Sequence, residues 1–588
     1  LTVAEAGLLV GARQAAELVA RSGGNPLLLV ELARADGPPD EVPGSLRDAV
    51  LARLRRTGAA EATLQAAAVL GARVDLDLLA SVLRSSPVRV LEHLDLGVRQ
   101  SFLTEHEGGI AFRHDLVRRA VAAGVGPVRR AWLHRSAAQV LRTRPDANPL
   151  DLARHAREGG NGALAADAFA AAADRARARL DLPGAERLLD AAIDQRDCAA
   201  LRLRRSHVRM SRADLTGAEA DAEAALAAGD ATGEALELRA WVARNRHDLA
   251  GAVRLGRAAV AAATDPVVRG SALIAVAFGH RGMGDLRTAD AVLAEAAGAP
   301  AELGLSAWIG VLRVHQGRPS DALAALEPML GADARRGVQG FWVEHTLQMT
   351  AHAYGLLGRS ADALRVLDRL EAELDRRGTA VRYAGVQHTY RSWILRNLGA
   401  PDAAESALAG LAGAGNQEIR AQCHLDVADC LLRSGDLDGS AARLAVAEVE
   451  SGTRWFHNKW RFDQRRSLLQ ARLHLAGGDA TGAREAVEPL VAAAEGRGDA
   501  RYAVLARLVR AAADARLGRP ADAARLAADL DRLGEVGALE GWWLAADVAD
   551  ATGSGHARAV AERLAGHVAA EAAERADRFC AVAAARLR

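Results

Sequence analysis

Small and apolar residues recur at helical spacing through the second half of the chain, around a glycine that follows one helical stretch and precedes the next. That glycine stands at positions 284, 317, 358, 399, 435, 478 and 518. The intervals of 33 to 43 residues fall close to those of helix-pair repeats, which run from about 34 to 47 residues. The pattern therefore predicts consecutive pairs of α-helices with the glycine in the turn inside each pair.

Each predicted pair has a small residue on both helices, so that the two helices can approach closely. Five residues after the glycine stand Ala289, Ala322, Ala363, Ala404, Ser440, Ala483 and Ala523. Seven residues before it stand Ala277, Gly310, Ala351, Ser392, Ala428, Ala471 and Ala511. Nine residues after it, on the same helical face as the first set, stand Leu293, Leu326, Leu367, Leu408, Leu444, Val487 and Ala527. We expect this last stripe to be the buried seam of the array.

The spacing of small residues around a Gly-Asp turn resembles that of the tetratricopeptide repeat, although the aromatic positions of that repeat are mostly missing. Looser units of the same kind occur upstream, at Asp181, Asp214 and Asp248, with intervals of 33 and 34 residues. They place the start of the array near Asn148. We therefore predict that residues 146–588 form a tetratricopeptide-like α-solenoid superhelix.

Residues 1–145 have a different pattern. A turn signal, SGGNPL at 22–27, separates two apolar helical stretches, and prolines at 38, 39 and 43 mark a linker. Short amphipathic helices follow over 45–96, and then two apolar segments around Gly108-Gly109 that are typical of a small hairpin. The predicted fold class is all-α: a helical segment over 1–40, a winged-helix-like head with a small β-hairpin over 41–145, and the solenoid.

Composition narrows the possible partners. The 75 basic and 74 acidic residues give a net charge of +1, which offers no direct footprint for nucleic acid or for an anionic membrane. Four scattered cysteines are too few for a disulfide scaffold, and no apolar run has the length of a membrane helix. We expect a cytoplasmic protein that binds a protein or a small-molecule inducer on the concave surface of the repeats, with possible self-association.

Two motifs in the first 145 residues resemble those of the signal-transducing ATPases with numerous domains, in particular the large LuxR-type regulators with a tetratricopeptide region. The first is SGGNPLLLVEL at 22–32, and the second is FRHDLVR at 112–118, followed by WLH at 132–134. The segments VPGSLR at 42–47 and AAAVLG at 66–71 also fit the family. The resemblance covers residues 1–145 closely and the remainder only as repeats.

The resemblance implies two nucleotide-sensing elements. In the family, the element matched by Gly24, Asn25 and Pro26 lies in a helical lid beside the nucleotide, where Pro26 would pack against the adenine. Arg113 and His114 would belong to the winged helix, where His114 would touch the phosphates of ADP. Each motif also has a simpler interpretation: Gly-Gly-Asn-Pro is a common turn, and Arg113-His114-Asp115 could cap the helix that follows the hairpin.

The residues that would perform the family's two activities are absent from the sequence. No Gly-Lys pair occurs, so the chain has no phosphate-binding loop of the G-x-x-x-x-G-K-[ST] type. Residues 540–588 do not resemble the LuxR-type helix-turn-helix. We therefore expect a portion without the ATPase core and without the DNA-binding domain, not an enzyme by itself, for which ATP or ADP is implied only if an upstream core is present.

Metal chemistry has weak support in the sequence. His424, Asp426, Asp429 and Cys430 lie close together, but Cys423 and Cys430 are seven residues apart and share a helical face. That spacing suits packing better than zinc, and no second ligand pair of the usual spacing accompanies it. We predict no metal site.

The densest aromatic and basic cluster is WFHNKWR at 455–461, which contains the only lysine of the chain. It precedes or opens the first helix of a repeat, and in tetratricopeptide arrays that helix lines the concave surface. Trp455, Phe456, Lys459 and Trp460 are therefore our candidate partner-binding residues. The alternative is that these large side chains fill a gap between repeats.

Three classes of function follow. The favoured hypothesis is the regulatory and scaffolding portion of an ATP-dependent transcriptional regulator, which senses nucleotide through the lid and winged helix and binds an inducer on the repeats. The second is a tetratricopeptide-repeat adaptor without a nucleotide role. The third, a helical-repeat enzyme, lacks a pair of nucleophile and base to support it.

Overall fold

The computed structural model describes residues 1–11, 15–19, 29, 33, 44–106, 109–179, 181–229, 231–300, 303–331, 341–377, 385–414, 417–452, 458–520 and 522–588. The chain forms two compact units, Leu1–Asp230 and Ala231–Arg588. The boundary falls inside the stretch predicted as the repeat array, so the head and the first repeat helices share one unit. Within the described ranges, no helix combines the length and the apolar composition needed to cross a membrane.

The first unit begins with a head in which the described residues form seven helices and three short strands. In chain order these elements are α1 (Val3–Val10), α2 (Gly44–Arg55), α3 (Glu61–Leu70), β1 (Arg73–Val74), α4 (Leu76–Leu83), α5 (Pro87–Arg99), β2 (Leu103–His106), β3 (Gly109–Phe112), α6 (Asp115–Ala123) and α7 (Pro127–Arg142). The strands pair antiparallel in the order β1-β3-β2, with Leu103 opposite Phe112.

This order of helices and strands is that of a winged helix, and it confirms the predicted head and hairpin. Apolar side chains from α2 to α7 and from the strands meet in one core, which includes Leu64, Leu79, Leu94, Phe102 and Leu133. The two-residue strand β1 was not predicted, because Arg73 and Val74 are too few to show an alternating pattern.

Five further helices complete the first unit. They are α8 (Pro149–Glu158), α9 (Gly162–Ala178), α10 (Leu182–Gln195), α11 (Ala199–Ser211) and α12 (Leu215–Ala228). The side chains of Asn148, Asn161, Asp181 and Asp214 accept backbone N–H groups at the starts of α8, α9, α10 and α12. The core between these helices is rich in alanine, so the helices pack closely through small side chains.

The second unit consists of helices only, among its described residues. They are α13 (Thr232–Asn245), α14 (Leu249–Ala262), α15 (Pro266–Met283), α16 (Leu286–Glu295), α17 (Leu305–His315), α18 (Pro319–Leu326), α19 (Phe341–Leu356), α20 (Ser360–Arg377), α21 (Val386–Asn397), α22 (Ala403–Gly413), α23 (Gln417–Ser434), α24 (Leu437–Ser451), α25 (Lys459–Ala476), α26 (Ala480–Arg497), α27 (Ala500–Arg516), α28 (Ala523–Val536), α29 (Ala538–Thr552), α30 (Gly555–Ala570) and α31 (Ala576–Leu587). The protein is a tetratricopeptide-like α-solenoid protein, as the repeats predicted.

The turn glycines adopt the predicted conformation. All seven have a positive φ, between 66° and 87°, which glycine reaches without the steric cost of a Cβ atom. Two upstream turns have the same geometry without glycine, at Ala213 (φ 64°) and His247 (φ 66°). The backbone requirement of the turn is therefore the same in both units, and only the residue that meets it differs.

The predicted seam is correct in five of the seven glycine-marked pairs and wrong in two. Leu293, Leu326, Leu367, Leu444 and Val487 are buried, but Leu408 is 46% exposed. The helix after Gly399 begins at Ala403, and the helix after Gly518 begins at Ala523, two and three residues later than in the other pairs. Each delay turns the predicted stripe away from the core, so that Ala523 is exposed and Ala404 and Ala527 are only partly buried.

The solenoid of the second unit folds back on itself. Hydrogen bonds join residues that are 179 to 211 positions apart, for example the Trp460 indole N–H to the carbonyl oxygen of Arg281 (3.0 Å) and the Ser360 hydroxyl to that of Glu571 (3.0 Å). At about 34 to 47 residues for each repeat, that separation corresponds to about five helix pairs for each superhelical turn. One turn of the superhelix thus packs directly on the next.

The turn glycines make this close packing possible. A Cβ atom on Gly317 would lie 2.5 Å from the backbone nitrogen of Arg501, and one on Gly399 would lie 2.6 Å from the side chain of Val582. A Cβ atom on Gly435 would meet nothing within 4 Å. The same repeat position is therefore a packing position in the first superhelical turn and an open position later in the array.

Candidate functional site

The first helix of each pair in the second unit contributes to one cavity. Its described lining comes from α13, α15, α17, α19, α21, α23, α25, α27 and α29, and its volume is about 590 Å³. These alternate helices form the inner layer of the superhelix. Because the array closes on itself, helices that are distant in sequence face each other across the cavity.

The lining is strongly cationic. Seven arginines contribute to it, at positions 244, 281, 396, 461, 465, 472 and 501. The acidic residues in the described lining are Glu418, Asp429 and Glu540. Arginine groups therefore outnumber carboxylates in the wall, whereas the whole chain is nearly neutral.

Two buried aspartates on α23 compensate several of these arginines. Asp426 binds Arg396 (3.0 Å) and Arg465, and Asp429 binds Arg396 (2.8 Å) and Arg472 (3.4 Å). These neighbours hold the pKa of the Asp429 carboxyl well below its usual range, although burial opposes them. The arginine neighbours therefore keep the Asp429 carboxylate ionised, and both aspartates are engaged in ion pairs with arginines of the wall.

Arg461 differs from these paired arginines. Its side chain makes no ion pair and no hydrogen bond with any residue that the structure describes, and it is partly buried in the cavity wall. Its positive charge contributes to lowering the pKa values of His315 and His352, after burial itself. Arg461 is thus a cation in the wall whose charge no described carboxylate contacts.

Glu418 also faces this excess of positive charge. Burial raises the pKa of its carboxyl to about 7, and the nearby Arg461 and Arg281 counteract part of that effect. Near neutral pH, Glu418 is therefore divided between its protonated and ionised forms, and as a result it neutralises the arginines only in part.

An aromatic group completes the wall. The ring of His352 lies 5.0 Å from that of Tyr390 and 5.4 Å from that of Trp393. The Trp393 indole N–H points to Glu540 (3.4 Å), and Arg501 also binds Glu540 through its Nε (3.1 Å). The cavity thus presents flat apolar surface beside charged groups, a combination that binding sites for organic molecules use.

The predicted nucleotide-sensing residues lie in the first unit. Gly24, Asn25 and Pro26 are outside the described residues. Arg113 is exposed and His114 half-buried at the junction between β3 and α6, where His114 occupies the N-cap position. Burial, followed by the charge of Arg113, lowers the pKa of His114. The sensing role of these residues stays a prediction.

The predicted partner-binding cluster is only partly described. Trp455 and Phe456 are outside the described residues, and Lys459 binds Asp463 on its own helix (2.6 Å). Trp460 is 6% exposed, and besides its bond to Arg281 its ring packs edge-on against His315 at 6.1 Å. Trp460 therefore fills the contact between successive superhelical turns, and a partner-binding role for the cluster stays a prediction.

Two of the four candidate metal ligands, Asp426 and Asp429, are engaged in ion pairs. Burial raises the pKa of the Cys430 thiol. In the part of the chain that the structure describes, no three His, Cys, Asp or Glu side chains gather in a way that could hold a metal ion.

The repeat and motif patterns of the sequence did not identify the cavity arginines, although the sequence contains one signal for them. Arg461, Arg465 and Arg472 are spaced by four and seven residues, so they share one face of α25. A cationic stripe on an inner helix indicates a lined cavity rather than a solvated face. Sequence alone could not show which other helices complete it.

The chain matches no family model and no curated protein. Similar solved structures include a signal-transducing ATPase with a tetratricopeptide repeat sensor from Pyrococcus horikoshii, at 14% identity and a TM-score of 0.25, with 91% of this chain and 72% of that chain covered. Yeast Tom70 is similar at 13% identity and a TM-score of 0.26, with 72% and 95% covered. The Cut9-Hcn1 complex is similar at 14% and 0.31, with 78% and 93% covered. Likeness at this level assigns no activity to the chain.

Proposed function

We propose that this chain is the regulatory and scaffolding portion of an ATP-dependent, signal-transducing transcriptional regulator. The repeat array holds an effector, either a protein or a small-molecule inducer, and the head senses the nucleotide state. The observation that carries the proposal is the cavity of about 590 Å³ to which nine alternate helices contribute. Its volume lies within the range of about 300 to 1,000 Å³ that is usual for ligand sites.

The coupling follows from how the cavity is built. An effector that contacts several inner helices binds best to one curvature of the superhelix, because each helix pair contributes a separate part of the wall. Such a ligand shifts the population toward that curvature by its difference in affinity for the two states. The contacts between superhelical turns, such as Trp460 on Arg281, are the contacts that a change of curvature would alter.

A variant that fills the cavity tests the effector site. Thr389 lines the cavity, and its hydroxyl bonds only the carbonyl oxygen of Val386 on its own helix (2.8 Å). Thr389→Trp therefore fills space at the cost of one local bond. The control is Thr552→Trp, because the Thr552 hydroxyl also makes only local hydrogen bonds among the described residues and does not line the cavity: it donates to the carbonyl oxygen of Val548 (2.6 Å) and accepts the Ser554 backbone N–H (3.2 Å).

We expect that thermal-shift screening of metabolites on the full chain finds compounds that stabilise the natural protein and Thr552→Trp. The same compounds should not stabilise Thr389→Trp. If every stabilising compound acts equally on the three proteins, the cavity is not the effector site.

The nucleotide role needs a separate test, since it rests on the resemblance of the head. In a longer chain that joins an ATPase core to this one, His114→Ala should weaken ADP binding. Unchanged ADP affinity would favour the second candidate, a repeat adaptor without a nucleotide role. The half-buried position of His114 beside Arg113 at the start of α6 supports the sensing proposal, because both side chains can donate to phosphate oxygens.

A further inference from the structure

We propose that the cavity binds a small organic anion, with its phosphate or carboxylate group at Arg461 and a planar apolar frame against Trp393 and Tyr390. This inference rests on the proposed function, since it names the chemical class of the effector. It adds a commitment that the proposed function does not contain, namely that the effector is a small molecule and negatively charged.

The first support is the charge balance of the wall. Asp429 is shared between Arg396 and Arg472, and Glu540 is bound by Arg501. The third acid of the described lining, Glu418, is only partly ionised near neutral pH. Crowded like charges are costly in a partly desolvated site. A bound anion removes that cost and supplies the partner that Arg461 lacks among the described residues.

The second support is the type of cation. The described lining contains seven arginines and no lysine, and the planar guanidinium group matches phosphate and carboxylate geometry through paired N–H donors. Two of them already contact aromatic faces, since the guanidinium of Arg281 lies 4.5 Å from the Phe278 ring and that of Arg501 lies 4.9 Å from the Tyr502 ring. The wall can therefore bind the charge and the flat frame of one molecule.

The third support is an unsatisfied polar group. His352 lines the cavity and is 5% exposed, and its Nδ1 has no hydrogen-bond partner among the described residues. Buried polar atoms are nearly always paired. Burial lowers the pKa of this ring, so it is neutral and can share a hydrogen bond with a polar group of a ligand.

The volume of the cavity favours a small molecule over an acidic segment of a protein as its occupant. About 590 Å³ encloses a molecule of drug size. An extended acidic peptide would instead need a groove that continues beyond the cavity. We therefore commit to the small molecule, and an acidic peptide becomes an outcome of the test.

The test uses three probes on the full chain: 1-naphthyl phosphate, 1-naphthoate and the neutral 1-naphthol, measured by isothermal titration calorimetry. The variant is Arg461→Gln, and the control is Arg466→Gln. Arg466 lies on the same helix, pairs with Glu448 at 3.7 Å and does not line the cavity. Comparing phosphate with carboxylate separates the two sources of negative charge.

We expect at least one naphthyl anion to bind the natural chain and Arg466→Gln about tenfold or more tightly than 1-naphthol binds. Arg461→Gln should lose about tenfold in that affinity, since a charge-assisted hydrogen bond typically contributes that much or more. The melting temperature of the ligand-free Arg461→Gln protein should be unchanged or higher, because the substitution removes an uncompensated charge. A lower value would mark Arg461 as structural and contradict the proposal.

Three other results would overturn the inference. They are equal binding of 1-naphthol and the two anions, equal anion affinity in Arg461→Gln and Arg466→Gln, and tighter binding by an octaglutamate peptide than by the naphthyl anions. In each case Thr389→Trp remains informative. If it still abolishes effector binding, the effector site stands and only its ligand class is wrong.

Discussion

Both units contain clusters of arginine and acid, but the cluster on α10, α11 and α12 of the first unit is balanced and the one in the cavity wall of the second unit is not. Between α11 and α12, Asp221 binds Arg205 (2.6 Å) and Arg209 (2.9 Å). Each of these arginines has a second acidic partner, Asp190 for Arg205 (2.7 Å) and Glu186 for Arg209 (2.8 Å). In this cluster both arginines have two acidic partners, so the cluster joins helices and leaves no group available for a ligand.

The cavity of the second unit lacks that balance. Its described wall contains seven arginines and three acidic residues, and Arg461 contacts no described acid. Evenly paired charges hold helices together. In a wall with surplus arginine, the like charges repel each other when no ligand is bound, and a bound anion compensates them. This difference is the reason for proposing a ligand site in the second cluster and not in the first.

The largest expected effect comes from removing a buried acid. Asp426→Ala should lower the free energy of unfolding by about 3 to 5 kcal/mol, because Arg465 loses its buried acidic partner and Arg396 keeps only Asp429. Asp463→Ala, which breaks the exposed pair with Lys459, should cost less than about 1 kcal/mol. Urea denaturation followed by circular dichroism measures both changes. Equal costs would contradict the buried role of Asp426.

The same substitution also tests whether the two clusters differ in anion binding. Asp426→Ala should bind 1-naphthyl phosphate more tightly than the natural chain, because Arg465 loses its acidic partner and Arg396 keeps only one. Asp221→Ala in the first unit should lose similar stability without any gain in anion affinity. A gain in both variants would show that surplus arginine attracts the probe wherever it occurs.

The next effect concerns the closure of the superhelix. Gly317→Ala should cost about 2 to 4 kcal/mol, because the new Cβ atom meets the backbone of Arg501 and the residue keeps a positive φ. Gly435→Ala, with a positive φ but open space, should cost only about 1 kcal/mol. Hydrogen exchange of α27 should rise in the first variant alone. Similar exchange in both would contradict the packing of one superhelical turn on the next.

A smaller loss in the free energy of unfolding, of about 1 to 3 kcal/mol, is expected in the first unit when the pH is lowered. His134 on α7 and His155 on α8 approach with their Nδ1 atoms 2.8 Å apart, and this bond requires at least one neutral ring. Burial, followed by nearby charges that include Arg154, lowers their pKa values to about 4 and about 3. The stabilising contribution is therefore complete above pH 6.5 and is lost as the pH falls from 6.5 toward 3.

Hydrogen exchange of α7 and α8 between pH 7 and pH 4, corrected for the intrinsic rate, measures this loss. The double variant His134→Leu/His155→Leu should show a flatter dependence in these two helices. An unchanged slope would mean that groups other than these two histidines control the acid response. Glu237 of the second unit should respond to pH in the opposite direction. Burial raises its pKa from 4.5 to about 7, so its contribution to stability is lost as the pH rises through this range.

The repeat architecture could be predicted from local sequence because its turn has a strict backbone requirement. The glycines at 284 to 518 marked the turns. The distance from each glycine predicted the buried stripe wherever the next helix begins two residues after the glycine. Leu408 was placed wrongly because Ala400-Pro401 delays the start of its helix. A rule based on distance along the chain does not detect such a delay.

The cavity could not be predicted in the same way, because it depends on contacts between distant residues. The stripe of Arg461, Arg465 and Arg472 was visible on one helix. Its relation to Arg281 and Trp393 exists only because the array closes after 179 to 211 residues. The number of repeats in each superhelical turn results from many small packing angles, and no single motif records it.

The smallest effect tests whether the positive φ of the repeat turn strains a residue other than glycine. Ala213 holds the turn between α11 and α12 with φ at 64°, a conformation that costs an alanine about 1 kcal/mol. Ala213→Gly should therefore raise the free energy of unfolding by about 0.5 kcal/mol, since part of the relieved strain is offset by the greater freedom of glycine in the unfolded chain. Ala220→Gly, at an exposed position inside α12, should lower it by about 0.5 to 1 kcal/mol. If both variants are destabilised equally, the left-handed turn of the first unit is not strained, and the two units would then differ in their turns as well as in their charges.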